Sequence, residues 1–395
     1  MKPYCAKAKK DNQYIVGGII ANAIGQGIGG MSNRSNLDYQ MLYNAEHNFI
    51  RLDTLRPACN TISNGISKLP VFSSWAIEHE KIYAAVDGQK LQTRFDILLA
   101  RNSKKYFPLK KGVVGYSLLA NFIPLSAETI SPNLHESYFL FDILKNCTAD
   151  IKLNCVTGDS HAINPVNFLL MRYLPIEFAP HLVHINQKIE NLYSFSHPNE
   201  FNDLLIRPHY QAKTDLILSE EENINWVIAS LLHGDTRQNI IIRKLSSLSQ
   251  HNRTCQAMME YNRIFESIYT LKYIDDQKLR QYVRASQNRI EAYHQLRRAI
   301  SFAGGSELRG GSELEVMIWN ECARLVANAI IYYNAYLLTE LLKKYEKLGN
   351  KEIVEMIKRI SPIAWVHINF MGNFIFSLDP PDIDIESMIA GAKLF

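Results

Sequence analysis

Between residues 82 and 122 three apolar runs with strand character, 82–86, 91–100 and 113–122, follow one another with no helical pattern between them. They predict a three-stranded meander. A helix comes next: from His135 to Lys145, the residues Tyr138, Phe141, Asp142 and Leu144 recur at helical spacing, with Asn133 as the N-cap. An apolar-alternating run from Ile151 to Thr157, a helix capped by Asn164 with Pro165 at its first position, and a short strand Ile176-Glu177-Phe178 complete the series.

Strand, strand, strand, helix, strand, helix, strand is the chain order of an RNase H-like α/β core, a mixed five-stranded sheet with helices whose first and fourth strands lie side by side. Two acids then meet at one edge of the sheet. Asp87 closes the run 82–86 just before Gly88, and Asp159 follows the run 151–157, although 72 residues separate them. A third acid, Glu291, borders the apolar stripe of a long amphipathic segment, Asp276–Phe302, with Arg284, His294 and Arg298 near its face. With 39 Asp and Glu in the chain, three acids mean something only through the elements that carry them.

The 132 residues between 159 and 291 exceed any tight connection and read mostly as inserted helices. Ser219 with Glu222 forms a capping box ahead of Ile224–Leu232, Gly234 is a stop, and further helical runs occupy 236–249 and 254–273. The predicted organisation is a helical region 1–80, a first part of the core 81–180, a helical insertion 181–275, the glutamate helix 276–303, and a helical C-terminal region 304–395 with an acidic, proline-rich tail from Asp379 to Glu386. In that last region Ser312 with Glu315 caps a long helix reaching Leu348, where Gly349 ends it.

Several stretches carry a specific resemblance: Val86-Asp87-Gly88-Gln89-Lys90, Phe107-Pro108-Leu109-Lys110-Lys111-Gly112, Thr157-Gly158-Asp159-Ser160-His161, Phe178-Ala179-Pro180, Glu291-Ala292-Tyr293-His294-Gln295-Leu296, Ile318-Trp319-Asn320-Glu321-Cys322 and Ser361-Pro362-Ile363-Ala364-Trp365. In order, from about Ala21 to about Phe374, they resemble the C-terminal catalytic half of the Tn-three family of replicative transposases. The resemblance implies that Asp87, Asp159 and Glu291 are a DDE triad holding two Mg²⁺ ions, with Mn²⁺ as a substitute, for in-line displacement at phosphorus. It implies 3′-end cleavage and strand transfer on double-stranded DNA, at transposon ends and target, by a cytoplasmic homodimer or partner of a full-length transposase. Phosphate contacts are then expected from Lys110, Lys111, Arg284, Arg297 and Arg298.

The sequence also departs from the family. Ile290 stands where glycine usually precedes the glutamate, and Gly304-Gly305-Ser306-Glu307-Leu308-Arg309 is followed by the near copy Gly310-Gly311-Ser312-Glu313-Leu314-Glu315. Family members are much longer, with an N-terminal part that recognises the transposon ends. The expectation is therefore a truncated transposase or, alternatively, a catalytically idle remnant that still binds DNA or a transposase.

A net charge of +4 and a pI near 8.5 permit DNA binding without requiring it. Six scattered cysteines with no C-x-x-C pair argue against zinc and disulfides. Asp11, Asn12 and Gln13 interrupt the signal-peptide-like start, and Leu325–Leu338 is broken by Asn328 and Asn334, so no membrane span is expected. The match of Gly25-Gln26-Gly27-Ile28-Gly29-Gly30 to a dinucleotide fingerprint, with Glu46 as ribose acid, lacks a preceding strand and a βαβ unit, so a turn or packing role is expected.

Overall fold

The structure, a computed structural model, describes residues 2–5, 9–247, 252–377 and 384–391. It is a mixed α/β protein. Its strands are β1 (Tyr83–Thr93), β2 (Arg101–Ser103), β3 (Phe107–Ala120), β4 (Ile123–Ile130), β5 (Cys155–Gly158), β6 (Glu177–Phe178), β7 (Tyr193–Ser194), β8 (Tyr210–Gln211) and β9 (Glu307–Leu308). The main sheet runs β2-β3-β1-β5-β6, with β4 also on β3 and β9 also on β1, while β7 and β8 pair separately.

The strand boundaries correct the sequence reading. The runs at 82–86 and 91–93 are one strand, because burial changes character inside β1: Tyr83–Val86 are covered on both faces, after which only alternate residues, Gln89, Leu91 and Thr93, are buried. Asp87 thus sits within a strand and not at its end. Residues 94–100 are irregular, and β3 starts six residues before the predicted run, at buried Phe107, because the exposed residues 108–111 interrupt the apolar pattern. Strand β4 went unpredicted, its apolar pattern broken by Pro124, Ser126 and Glu128.

One edge of β1 pairs antiparallel with β3 from Ala84 to Gln92. The opposite edge is shared. Strand β5 takes Tyr83–Val86 in parallel, and β9 takes Gln92 and Thr93. Between them, residues 87–91 have no strand on this edge among the described residues, and the helix Gln277–Phe302 packs on β1, with the Gln89 side-chain amide donating to the carbonyl of His294 at 2.9 Å.

Several predicted caps also move. His135, not Asn133, precedes a 3-10 turn Glu136–Phe139 that leads into the helix Leu140–Lys145. Asn164 makes a turn, accepting from Val166 N at 3.0 Å, and the helix that follows is only Asn167–Met171. Glu220 rather than Ser219 precedes the helix Glu221–His233, which ends at Gly234 with φ 98° as expected for a left-handed stop. The long helix Glu313–Lys347 begins as predicted, with Ser312 accepting from Glu315 N.

That helix is the spine of the core. It packs on Asn12–Ala23, on Leu52–Ser67 and on β4. Within it the buried pair Arg324–Glu321 closes at 2.6 Å, and Arg324 also donates to Leu125 O at 2.6 Å, so the charge is fully partnered where an orphan would cost several kcal/mol, about 3–5. By length and composition the helix could cross a membrane, but 56% of its apolar window is buried inside the protein, as in a core helix. Most of the expected acidic tail, 378–383, lies outside the described residues, and Ile385–Gly391 is a short helix.

Candidate active site

Strands β1 and β5 run parallel with Val86 opposite Gly158, and each acid is the next residue along. Asp87 and Asp159 therefore leave adjacent strands at the same level. Gly158 is held to its identity by packing, since a Cβ there would overlap the Cβ of Ala162, which closes the turn behind Asp159. The Asp159 carboxylate caps that turn, accepting from His161 N at 2.9 Å and contacting His161 Nδ1 at 2.6 Å.

Glu291 comes from the helix Gln277–Phe302, whose buried residues Leu279, Val283, Ile290, Tyr293, Leu296 and Ile300 fix its rotation about the sheet. Gln287 reaches Thr157 Oγ1 at 3.0 Å, and Arg289 reaches Asn121 Oδ1 at 3.1 Å while lying over the Phe122 ring. Ile290, which stands where the family usually has glycine, is fully buried and anchors the helix, whereas Glu291 is exposed.

Asp87, Asp159 and Glu291 line one cleft of about 650 Å³, together with Glu136, Lys90 and Arg298. Burial pushes the Asp87 carboxyl up to about 7, with the negative charges of Glu136 and Asp159 adding to the effect and the Gly88 N–H and Lys90 opposing it. His294 stands 3.4 Å from Asp87 Oδ2, and burial, helped by Arg297, Arg298 and Lys90, pulls it down to about 3, so the ring is neutral near pH 7. Among the described residues no three His, Cys, Asp or Glu side chains stand close enough to hold a metal ion as placed.

The predicted phosphate contacts divide. Arg298 lines the cleft, and Arg284 is exposed two helical turns before Glu291. Lys110 and Lys111 are exposed on β3 but paired with Glu307 at 2.5 Å and Asp96 at 2.6 Å. Arg297 is corrected: it is 3% exposed, bonded to Asn320 Oδ1 at 2.8 Å and stacked on Trp319, which leaves it no route to DNA. Its spacing, four residues after Tyr293 and three before Ile300, is the sequence signal for that buried position. Glu136, His161 and Lys90 were given no role from the sequence, because only the fold brings them to the triad.

The glycine-rich stretch follows the helix Asn12–Ala23 rather than a strand. Gly25, with φ 73°, packs against Gly304 and Glu307, so no dinucleotide fingerprint is present there.

These features define an α/β protein with a carboxylate-lined cleft between two parallel strands and a crossing helix. The chain belongs to the family described as the Tn3 transposase DDE domain, which matches residues 1–374. It is 25% identical over 343 residues to the transposase for transposon gamma-delta of Escherichia coli (strain K12), covering 86% of this chain and 33% of that protein. It is 24% identical over 371 residues to the transposase for transposon Tn1546 of Enterococcus faecium, covering 93% and 37%. The chain thus spans about a third of the length of these relatives.

Proposed function

We propose that this chain carries the DDE chemistry of DNA transposition on an RNase H-like core: Mg²⁺-dependent cleavage at transposon 3′ ends followed by strand transfer into target DNA. The observation that carries the reading is the convergence of Asp87 and Asp159, from adjacent strands, with Glu291 in one cleft. We read residues 181–275 as an insertion beside that core and double-stranded DNA as the partner.

The donor set fits Mg²⁺. All three acids offer oxygen, which this ion prefers, and the like charge crowding Asp87 is what a bound cation relieves. Asp87, Asp159 and Glu291 would hold the metal, which when bound activates the attacking oxygen and stabilises the leaving one. The chain's other residues prepare the ground. His161 orients the Asp159 carboxylate through ring and main chain, and the neutral His294 ring lies beside Asp87 without competing as a cation. Arg298, in the cleft, offers a charge to the scissile phosphate, and Arg284 extends that face.

The test is Asp87→Ala in a full-length relative carrying the same aspartate. Mg²⁺-dependent nicking should fall to background while binding to transposon-end DNA persists, because carboxylates hold metal and basic residues hold phosphate. Undiminished nicking would remove the triad.

A further inference from the structure

One carboxylate in the cleft is not a member of the triad. Glu136, the first residue of the 3-10 turn between β4 and β5, lines the same cleft with its side chain 12% exposed. Its approach depends on Gly88. A Cβ at that position would overlap the Glu136 Cδ and both carboxylate oxygens, so a bare α-carbon beside Asp87 lets this acid lie flat against β1.

Lys90 holds it there, its ammonium contacting Glu136 Oε1 and the Gly88 carbonyl at 3.2 Å. A single positive charge thus already sits where acid and main-chain oxygen converge. It does not balance the cleft. Four carboxylates, Asp87, Asp159, Glu291 and Glu136, face two cations, Lys90 and Arg298. The same wall carries His294, 5% exposed, whose Nε2 has no hydrogen-bond partner among the described residues. A purely structural Lys–Glu pair has no need to crowd a third, half-buried acid, since crowding like charges is unfavourable until a cation compensates it.

We propose that Glu136 is a fourth carboxylate of the divalent-cation site in this cleft, with Lys90 as its resident counter-ion. The inference rests on reading the cleft as a metal site. It adds an oxygen donor from a separate element and gives Lys90 a defined task, neutralising that donor until an ion arrives.

Equilibrium binding of Mn²⁺ to the DNA-free protein, followed by loss of the free-ion paramagnetic resonance signal, tests it without any turnover. Glu136→Gln keeps the shape and an acceptor for Lys90, so its melting midpoint should stay near that of the parent while Mn²⁺ affinity falls by about tenfold or more. Glu136→Asp should restore part of the loss, and Lys90→Met should tighten binding severalfold. Parent-like affinity in Glu136→Gln alongside weakened affinity in Asp87→Asn would overturn the role of Glu136 and leave the triad standing. Parent-like affinity in both variants would overturn the metal reading of the whole cleft. Equal weakening by Lys90→Met and Glu136→Gln would show the pair to be structural only.

Discussion

Two neighbouring copies of Gly-Gly-Ser-Glu-Leu do opposite jobs in this protein. The first ends a helix: after Gln277–Phe302, Gly305 with φ 86° and Ser306 with φ 59° turn left-handed, and Glu307–Leu308 then becomes β9 on β1. The second begins one: Ser312 is extended, with φ −137°, and its hydroxyl accepts from Glu315 N as the N-cap of Glu313–Lys347. Both uses are chemically legitimate, since glycine suits a helix stop and serine a helix start. The choice is made by the surroundings and by the one residue that differs, since Glu315 accepts from Gly311 N at 2.7 Å, which Arg309 in the first copy could not do.

The comparison can be broken first at its glycines. A Cβ on Gly304 would overlap the main chain of Ile24 and Gly25, so Gly304→Ala should cost about 3 kcal/mol in urea unfolding, whereas at its counterpart Gly310 the nearest atom is Val316 N at 2.8 Å and Gly310→Ala should cost roughly half as much. Equal losses would mean that the two turns are packed alike.

The next largest effect should come from erasing the difference. Glu315→Arg makes the copies identical in sequence and should cost about 1 kcal/mol, by removing the bond to Gly311 and placing a cation at a helix N-terminus. The serines should separate by a similar margin. Ser312→Ala should lose about 1 kcal/mol of cap, while Ser306→Gly should gain up to about 1 kcal/mol by relieving a left-handed residue. Chemical denaturation of the single variants decides both.

The smallest effect is electrostatic. Glu307 accepts from Lys110 at 2.5 Å and Gln92 at 2.6 Å, and the Lys110 ammonium holds its carboxyl below the usual range. A depressed carboxyl contributes stability above its unfolded value, 4.5, and loses it as pH falls through the lower folded value. Because Lys110 is 58% exposed, Glu307→Gln should cost under about 1 kcal/mol at pH 7, and the gap to the parent should close in melts taken toward pH 3. A gap that widens on acidification would reverse the assignment.

The copies also mark how far the sequence could be read. Long helices were legible from their period, as in the segment starting at Asp276, and where a cap agreed with it, as at Ser312, which does accept a first-turn N–H. Strands were legible only where burial gave a regular pattern. Inside β1 the pattern changes at Asp87, so one strand looked like two, and β4 hid behind Pro124 and Glu128. The placement of Asp87, Asp159 and Glu291 followed from motif resemblance and element order. Glu136 could not, because its approach to Asp87 is set by a missing side chain at Gly88 and a long-range pair with Lys90, neither of which has a local signal.

The stretch of β1 at 87–91, paired with β3 on one edge and with no strand among the described residues on the other, has a bearing on solubility. An open strand edge is a template for pairing with another chain, and here it is short, with the Gly88 N–H donating to the Asp87 carboxylate and the Gly88 carbonyl accepting from Lys90. Side-chain contacts to Gly88 thus keep this edge of β1 from offering a free row of main-chain groups to another chain.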